Sequence, residues 1–212
     1  MTDDLSDGSG EAVLESGYAY GEESHRSTLE KDGDATTVVP PDGDTVTTTF
    51  TDAEGRQSRL REYTKKDRSA WRDTTYHYDA LDQLVRIAEP GGAEHTFEYD
   101  ARGRQTATTD PDGGRTTYEY DATDNLVATT DPRGNRLVTT YDEAGRPTSL
   151  REGSADGDKR IEWTYDTLGK GLPTASIRYD DDGNAYREEV LSYDSANRPL
   201  TTRTTIPEAA GK

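Results

Sequence analysis

Cysteine is absent from the 212-residue chain. Disulfides, thiolate metal sites and cysteine nucleophiles are excluded with it. Basic charge is scarce: 25 Lys and Arg stand against 43 Asp and Glu, a formal net charge of -18. Nucleic acid is not expected as a partner, because phosphate binding needs a positive patch. Anionic membrane surfaces are disfavoured by the same sign. No uninterrupted apolar run exceeds three residues, so neither membrane insertion nor a signal-peptide core is expected of this segment. Aliphatic residues are few as well. Leu, Ile, Val and Phe make up 27 of 212 residues and mean hydropathy is -1.05, values that alone would describe a disordered acidic chain.

What is present points the other way. The chain has 13 Tyr, 2 Trp and 31 Thr, residue types suited to a pleated, half-exposed surface. Tyr-Asp recurs at Tyr78-Asp79, Tyr99-Asp100, Tyr120-Asp121 and Tyr141-Asp142, in successive steps of 21 residues, then at Tyr165-Asp166 and Tyr193-Asp194 after steps of 24 and 28. A degenerate copy runs from Phe50 to Arg56. Each Asp opens a four-residue unit closed by a residue that tolerates positive φ: Gly103, Gly145 and Gly169, or Asp82, Asp124 and Asn197. Asp first and Gly fourth are the preferences of a type I turn, and the Asp carboxylate can accept bonds from the turn's own N–H groups.

A second turn class interleaves with the first. Asp110-Pro111-Asp112-Gly113 and Asp131-Pro132-Arg133-Gly134 place Pro where its fixed φ belongs, and Glu89-Pro90-Gly91-Gly92 is a looser copy. Turn starts thus fall every 10 or 11 residues between 79 and 142, leaving strands of ordinary length between them and predicting an all-β architecture. Alternation agrees. Tyr76 and Tyr78, Phe97 and Tyr99, Tyr118 and Tyr120, and Trp163 and Tyr165 are pairs separated by one polar residue, so each pair shares one face of a strand. With Tyr141 and Tyr193 they are predicted to form aromatic ladders across the sheet.

The motif Tyr-Asp-x-x-Gly-Arg, followed by Thr-rich sequence and Asp-Pro-x-Gly, closely resembles the Rhs/YD-repeat family, which includes bacterial Rhs polymorphic toxins, cocoon-forming subunits of insecticidal toxin complexes and the YD shell of teneurins. The likeness is regular over 76–151, continues with longer periods over 152–205, and is degenerate over 17–75. It implies an array of antiparallel β-hairpins forming a curved, spiralling sheet, a segment of a hollow shell around a C-terminal payload, often a toxin. The implied partners are the remainder of that shell and the payload. The implied location is secreted or at the bacterial cell surface. The family's self-cleaving aspartyl machinery lies beyond the repeats, and Asp110-Pro111 and Asp131-Pro132 share only its dipeptide.

Residues 1–16 are acidic, rich in Gly and Ser and lack periodicity, and are expected to form a mobile leader; 206–212 are expected to be a short tail. Further turns are expected at 31–34, 40–43 and 64–67, with a polar loop at 152–158 and a turn at 180–183. The intervals predict about 17 strands, and open edges at both ends of such an array invite further pairing.

No catalytic residue, cofactor or metal ligand is assigned. His25, His77 and His95 fall on separate predicted strands, and no nucleophile elbow, aspartic-protease signature or phosphate loop occurs. The acids Asp180, Asp181 and Asp182 miss EF-hand spacing and read as a solvated turn. Asp79, Asp100, Asp121, Asp142 and Asp166 are turn anchors, and Gly103, Gly113, Gly134 and Gly145 close turns. The expected function is enclosure without catalysis. The alternative is a cell-surface adhesion or glycan-binding module, since the Thr and Tyr faces offer stacking and hydroxyl contacts to carbohydrate.

Overall fold

The computed structural model describes residues 12–19, 24–40 and 44–207, and among them there is no helix. The described strands belong to two units, each an antiparallel meander. The first holds β1 (Ala12–Ala19), β2 (Ser24–Asp32), β3 (Ala35–Val39), β4 (Thr47–Thr51), β5 (Gln57–Tyr63), β6 (Trp71–Tyr78), β7 (Leu84–Ala88) and β8 (Glu94–Tyr99). β9 (Gln105–Asp110) is divided, with Thr109–Asp112 in the first unit and Arg104–Thr108 in the second. The second unit continues through β10 (Gly114–Tyr120), β11 (Leu126–Thr130), β12 (Arg136–Tyr141) and β13 (Pro147–Glu152). It closes with β14 (Lys159–Tyr165), β15 (Pro173–Tyr179), β16 (Ala185–Tyr193) and β17 (Pro199–Thr205).

The expected leader is corrected in part: residues 12–16 lie in β1, paired residue by residue with β2, while 1–11 and 208–212 lie outside the described residues. So do residues 41–43 of the turn expected at 40–43.

Within each unit every strand packs only against its neighbours in sequence. Such nearest-neighbour stacking defines a repeat array rather than a layered globule. The core reflects it. Among the described residues no large side chain is fully buried, and the buried hydrophobic positions are Ala107, Ala128, Val138 and Ala175. Glu119 and Arg136, on strands either side of β11, form an ion pair across it. Ala128, in register with Glu119 on the same face, is 2% exposed. Small residues are therefore covered by long polar side chains instead of by a second layer.

The turns are built alike. In the Asp142 turn, Gly145 N–H donates to Asp142 O at 3.0 Å and Asp142 N–H donates to Arg146 O at 3.0 Å. The αL residue is Gly145 at φ 73°, which makes this a type I turn followed by a G1 bulge. The Asp79, Asp121, Asp131, Asp180 and Asp194 turns repeat both bonds. So does the Asp52 turn of the degenerate copy. Asp82, Asp124 and Asn197 take the αL position at φ 63°, 70° and 61°, as their short polar side chains allow, and Gly134 does so at 86°.

Two turns differ from the sequence reading. After Asp110-Pro111 the positive φ belongs to Gly114, at 87°, rather than Gly113. A Cβ on Gly114 would stand 2.8 Å from Pro132 Cβ, so a side chain there is excluded twice over. After Tyr165 the loop is wider: Asp166 N–H donates to Leu172 O, and positive φ falls on Asp166 and Gly171 rather than Gly169. The residues added to the 28-residue step let the loop close two positions later.

At Gly103, φ is 81° and an added Cβ would meet Gln83 Nε2 at 3.0 Å. Gly103→Val is expected to cost about 1–3 kcal/mol. Gly103→Asn, which copies the chain's own αL residue Asn197, is expected to cost under about 1 kcal/mol. Equal melting temperatures for the two variants would contradict the turn assignment.

Candidate functional site: the tyrosine clamp between repeats

The last residue of each regular even-numbered strand is the Tyr of a Tyr-Asp dyad, and its ring reaches back to the preceding dyad turn. Tyr99 Oη donates to Leu84 O at 2.9 Å, Tyr120 Oη to Gln105 O at 2.9 Å, and Tyr141 Oη to Leu126 O at 2.8 Å. Tyr78 bonds Gln57 O at 2.9 Å, Tyr165 bonds Pro147 O at 2.9 Å and Tyr193 bonds Pro173 O at 2.5 Å. All six acceptors are the first residue of the strand that leaves the preceding dyad turn. The bond survives steps of 24 and 28 residues because the added residues lie in loops and longer strands away from it.

Arginine completes the clamp where it follows the αL residue. Arg56 lies over the Tyr78 ring at 4.7 Å, Arg104 over Tyr120 at 4.7 Å and Arg146 over Tyr165 at 4.4 Å. Each guanidinium also reaches an acid of the following turn: Arg56 pairs with Asp82, Arg104 with Asp124 at 2.7 Å, and Arg146 with Asp166 at 2.6 Å. Arg56 and Arg146 additionally hold their own turn's Asp, at 2.8 and 2.7 Å. One side chain thus rigidifies its own turn, stacks on the next repeat's ring and pairs with the next repeat's acid.

The Asp anchors act as Asx caps. Asp121 Oδ1 accepts from Thr123 N at 2.8 Å and Asn125 N at 2.9 Å, and Oδ2 accepts from Asn125 Nδ2 at 2.9 Å. Asp79, Asp131, Asp142, Asp180 and Asp194 accept the same two backbone bonds. Asp100 and Asp110 accept from the N–H two residues on. These donors favour the ionised carboxylate. Asn125 above all lowers the Asp121 carboxyl to about 2, and Arg146, then the Gly171 N–H, lowers Asp166 to about 2.

The predicted ladder places correctly by face but not by contact. Tyr76, Tyr78, Phe97 and Tyr99 belong to β6 and β8, separated by β7, so successive dyads lie two strands or roughly 10 Å apart. Tyr118 and Tyr120, Tyr141, Trp163 and Tyr165, and Tyr193 are spaced likewise on β10, β12, β14 and β16. What crosses the gap is hydroxyl-to-carbonyl bonding and arginine. The sequence reading noted the Tyr hydroxyl and the Arg of the motif but missed both targets; a Tyr in the dyad's second position, where Phe would have packed as well, was the available signal. The reading also missed that His95 stands between two carboxylates, 3.0 Å from Glu89 and 3.3 Å from Asp110. Among the described residues no cluster of three or more His, Asp or Glu suits a metal ion.

These features define a class: an all-β hairpin repeat whose units are clamped by a conserved geometry of Tyr, Asp and Arg within this one chain. Residues 99–136 and again 124–159 match the RHS Repeat family, and the chain is an Rhs/YD-repeat chain. Solved structures share its fold. A Photorhabdus luminescens Tc holotoxin pore carrying a TccC3 mutation superposes with a TM-score of 0.68 at 15% identity, covering 86% of this chain and 10% of that one. A TcdB2-TccC3-Cdc42 structure gives 0.68 at 15% identity, covering 92% and 11%. The chain therefore spans about a tenth of these similar chains. No curated protein matches it.

Tyr120→Phe leaves Gln105 O without its donor and is expected to cost about 0.5–1.5 kcal/mol. Tyr118→Phe, on the same strand but outside the clamp, should change stability by less than about 0.5 kcal/mol. Thermal unfolding distinguishes them, and similar losses at both positions would remove the special role of the dyad's second residue.

Acid should loosen the anchors in a defined window. Asp121 and Asp166 titrate below their ordinary 3.8 in the folded chain, so their stabilisation is complete above that value and lost as pH falls toward about 2. Asp121→Asn and Asp166→Asn should melt below the parent at about pH 5 and converge with it near pH 2. A gap that stays constant across the window would show that the charged form is not what these turns use.

Proposed function

We propose that this chain is a structural segment of an Rhs/YD-repeat shell whose task is to enclose another polypeptide. The observation that carries the reading is the clamp itself. Each repeat is held only by the one before it, so the array extends without needing a closed core, and its Tyr, Asp and Arg are committed to joining hairpins. By the family resemblance the enclosed polypeptide is C-terminal to the repeats, with a toxin as the expected kind, and the assembled particle acts outside the producing cell or at its surface. Its partners are then the rest of its own shell and the payload. The wall contributes no chemistry of its own. A formal charge of -18 favours a basic payload through long-range attraction. The repeat-region boundaries at 75, 151 and 205 would mark changes in loop length along one wall.

The test is limited proteolysis of the natural protein that contains these residues. A C-terminal domain resistant to protease in the folded protein, and digested once the repeats are unfolded, is the expected result. A domain cleaved as fast in the whole protein as in isolation, or a natural protein with no domain to enclose, overturns the proposal.

A further inference from the structure

In the second unit, the face bearing the dyad aromatics carries a shallow groove of about 340 Å3 over β14 to β17. Its size falls in the lower part of the small-ligand range, roughly 300–1,000 Å3. Trp163 and Tyr165 form one wall. Cross-strand register sets Trp163, Ser176, Glu188 and Thr204 in a single row on one face, with Val190 and Thr202 paired beside it. The groove therefore combines a broad aromatic plane, an aliphatic patch and a line of hydroxyls ending on a carboxylate.

That carboxylate is not used by the fold. Neighbouring Glu189, on the opposite face, is held by Arg203 at 2.6 Å and Arg187 at 2.8 Å. Glu188 is exposed and has no ion pair among the described residues. Elsewhere in the chain the acids that line turns carry bonds, so a free acceptor beside Trp163 is a local exception. Position 163 is also the only dyad position filled by Trp, where other repeats have Tyr or Phe.

We propose that the groove binds a neutral carbohydrate. The apolar C–H face of a pyranose stacks on Trp163, as flat apolar surfaces do on an aromatic plane. Its ring hydroxyls donate to Glu188 and exchange bonds with Ser176 and Thr204, replacing the water those groups hold in the free chain. Net negative charge disfavours sulfated or uronic sugars. An apolar peptide side chain would fill the aromatic wall but would strip water from Ser176, Glu188 and Thr204 without replacing it. This inference is independent of enclosure: a wall segment can bind sugar on one face whether or not it surrounds a payload.

The chain has two tryptophans, so Trp71→Phe leaves Trp163 as the sole indole reporter. Its emission should change saturably on titration with at least one of cellotriose, chitotriose and maltotriose. Calorimetry on the unsubstituted chain gives the same reading should Trp71→Phe fail to fold. Glu188→Ala and Thr204→Val, both at exposed positions, should each weaken that binding about tenfold, the loss of a hydrogen bond, with melting temperature unchanged. No saturable response to any of the three sugars overturns the proposal. So does equal binding by the two variants, or saturation by a Phe-containing extended peptide but by none of the sugars.

Discussion

A tyrosine hydroxyl bonded to the carbonyl just past the preceding dyad turn is the constraint on which the rest of this structure depends. It converts a row of hairpins, each marginal alone, into an array in which every repeat positions the next. The bond asks for three things at once. The turn must close in a fixed geometry, so that the acceptor carbonyl points back; the Tyr must end its strand on the correct face; and the ring must lie flat enough for arginine to stack on it. Asp at the turn's start, an αL residue at its end and Arg after it meet those demands together. That is why the motif is a block and not a scatter of preferences.

The clamp also resolves the conflict between composition and order. With 27 large aliphatic and Phe residues in 212, the chain cannot build a conventional core. It does not need one. Ala107, Ala128 and Ala175 are small enough to be covered by the side chains of neighbouring strands, and pairs such as Glu119–Arg136 cross a strand to cover them. Tyr supplies apolar area and directed bonding from the same side chain. A sheet stabilised in this way tolerates polar faces, which a layered globule of this composition would not.

Much of this was legible in the sequence. The 21-residue period, the two turn classes and the aromatic alternation led to an all-β hairpin array, and the turn spacing led to about 17 strands, the number now described. The misses share one cause. Local turn preference marked Gly113 and Gly169, but tight closure against Pro132 moved the αL residue to Gly114, and a wider loop moved it to Gly171. Ladders of touching rings were inferred from period alone, whereas the intervening strand separates them. Residues 12–16 looked like a leader because their composition is acidic and small; pairing with β2 is a non-local property that composition does not carry.

The account's central claim is that stability passes from each repeat to its neighbour through the Tyr–Arg–turn clamp. A double-mutant cycle on Arg146→Met and Tyr165→Leu measures it most directly, with Arg146→Met and Tyr120→Leu as the non-neighbouring control. The clamp predicts a coupling of about 0.5–1 kcal/mol for the first pair and additivity within about 0.3–0.5 kcal/mol for the second. Additive behaviour in both pairs would contradict it, and would leave the backbone ladder as the sole link between repeats.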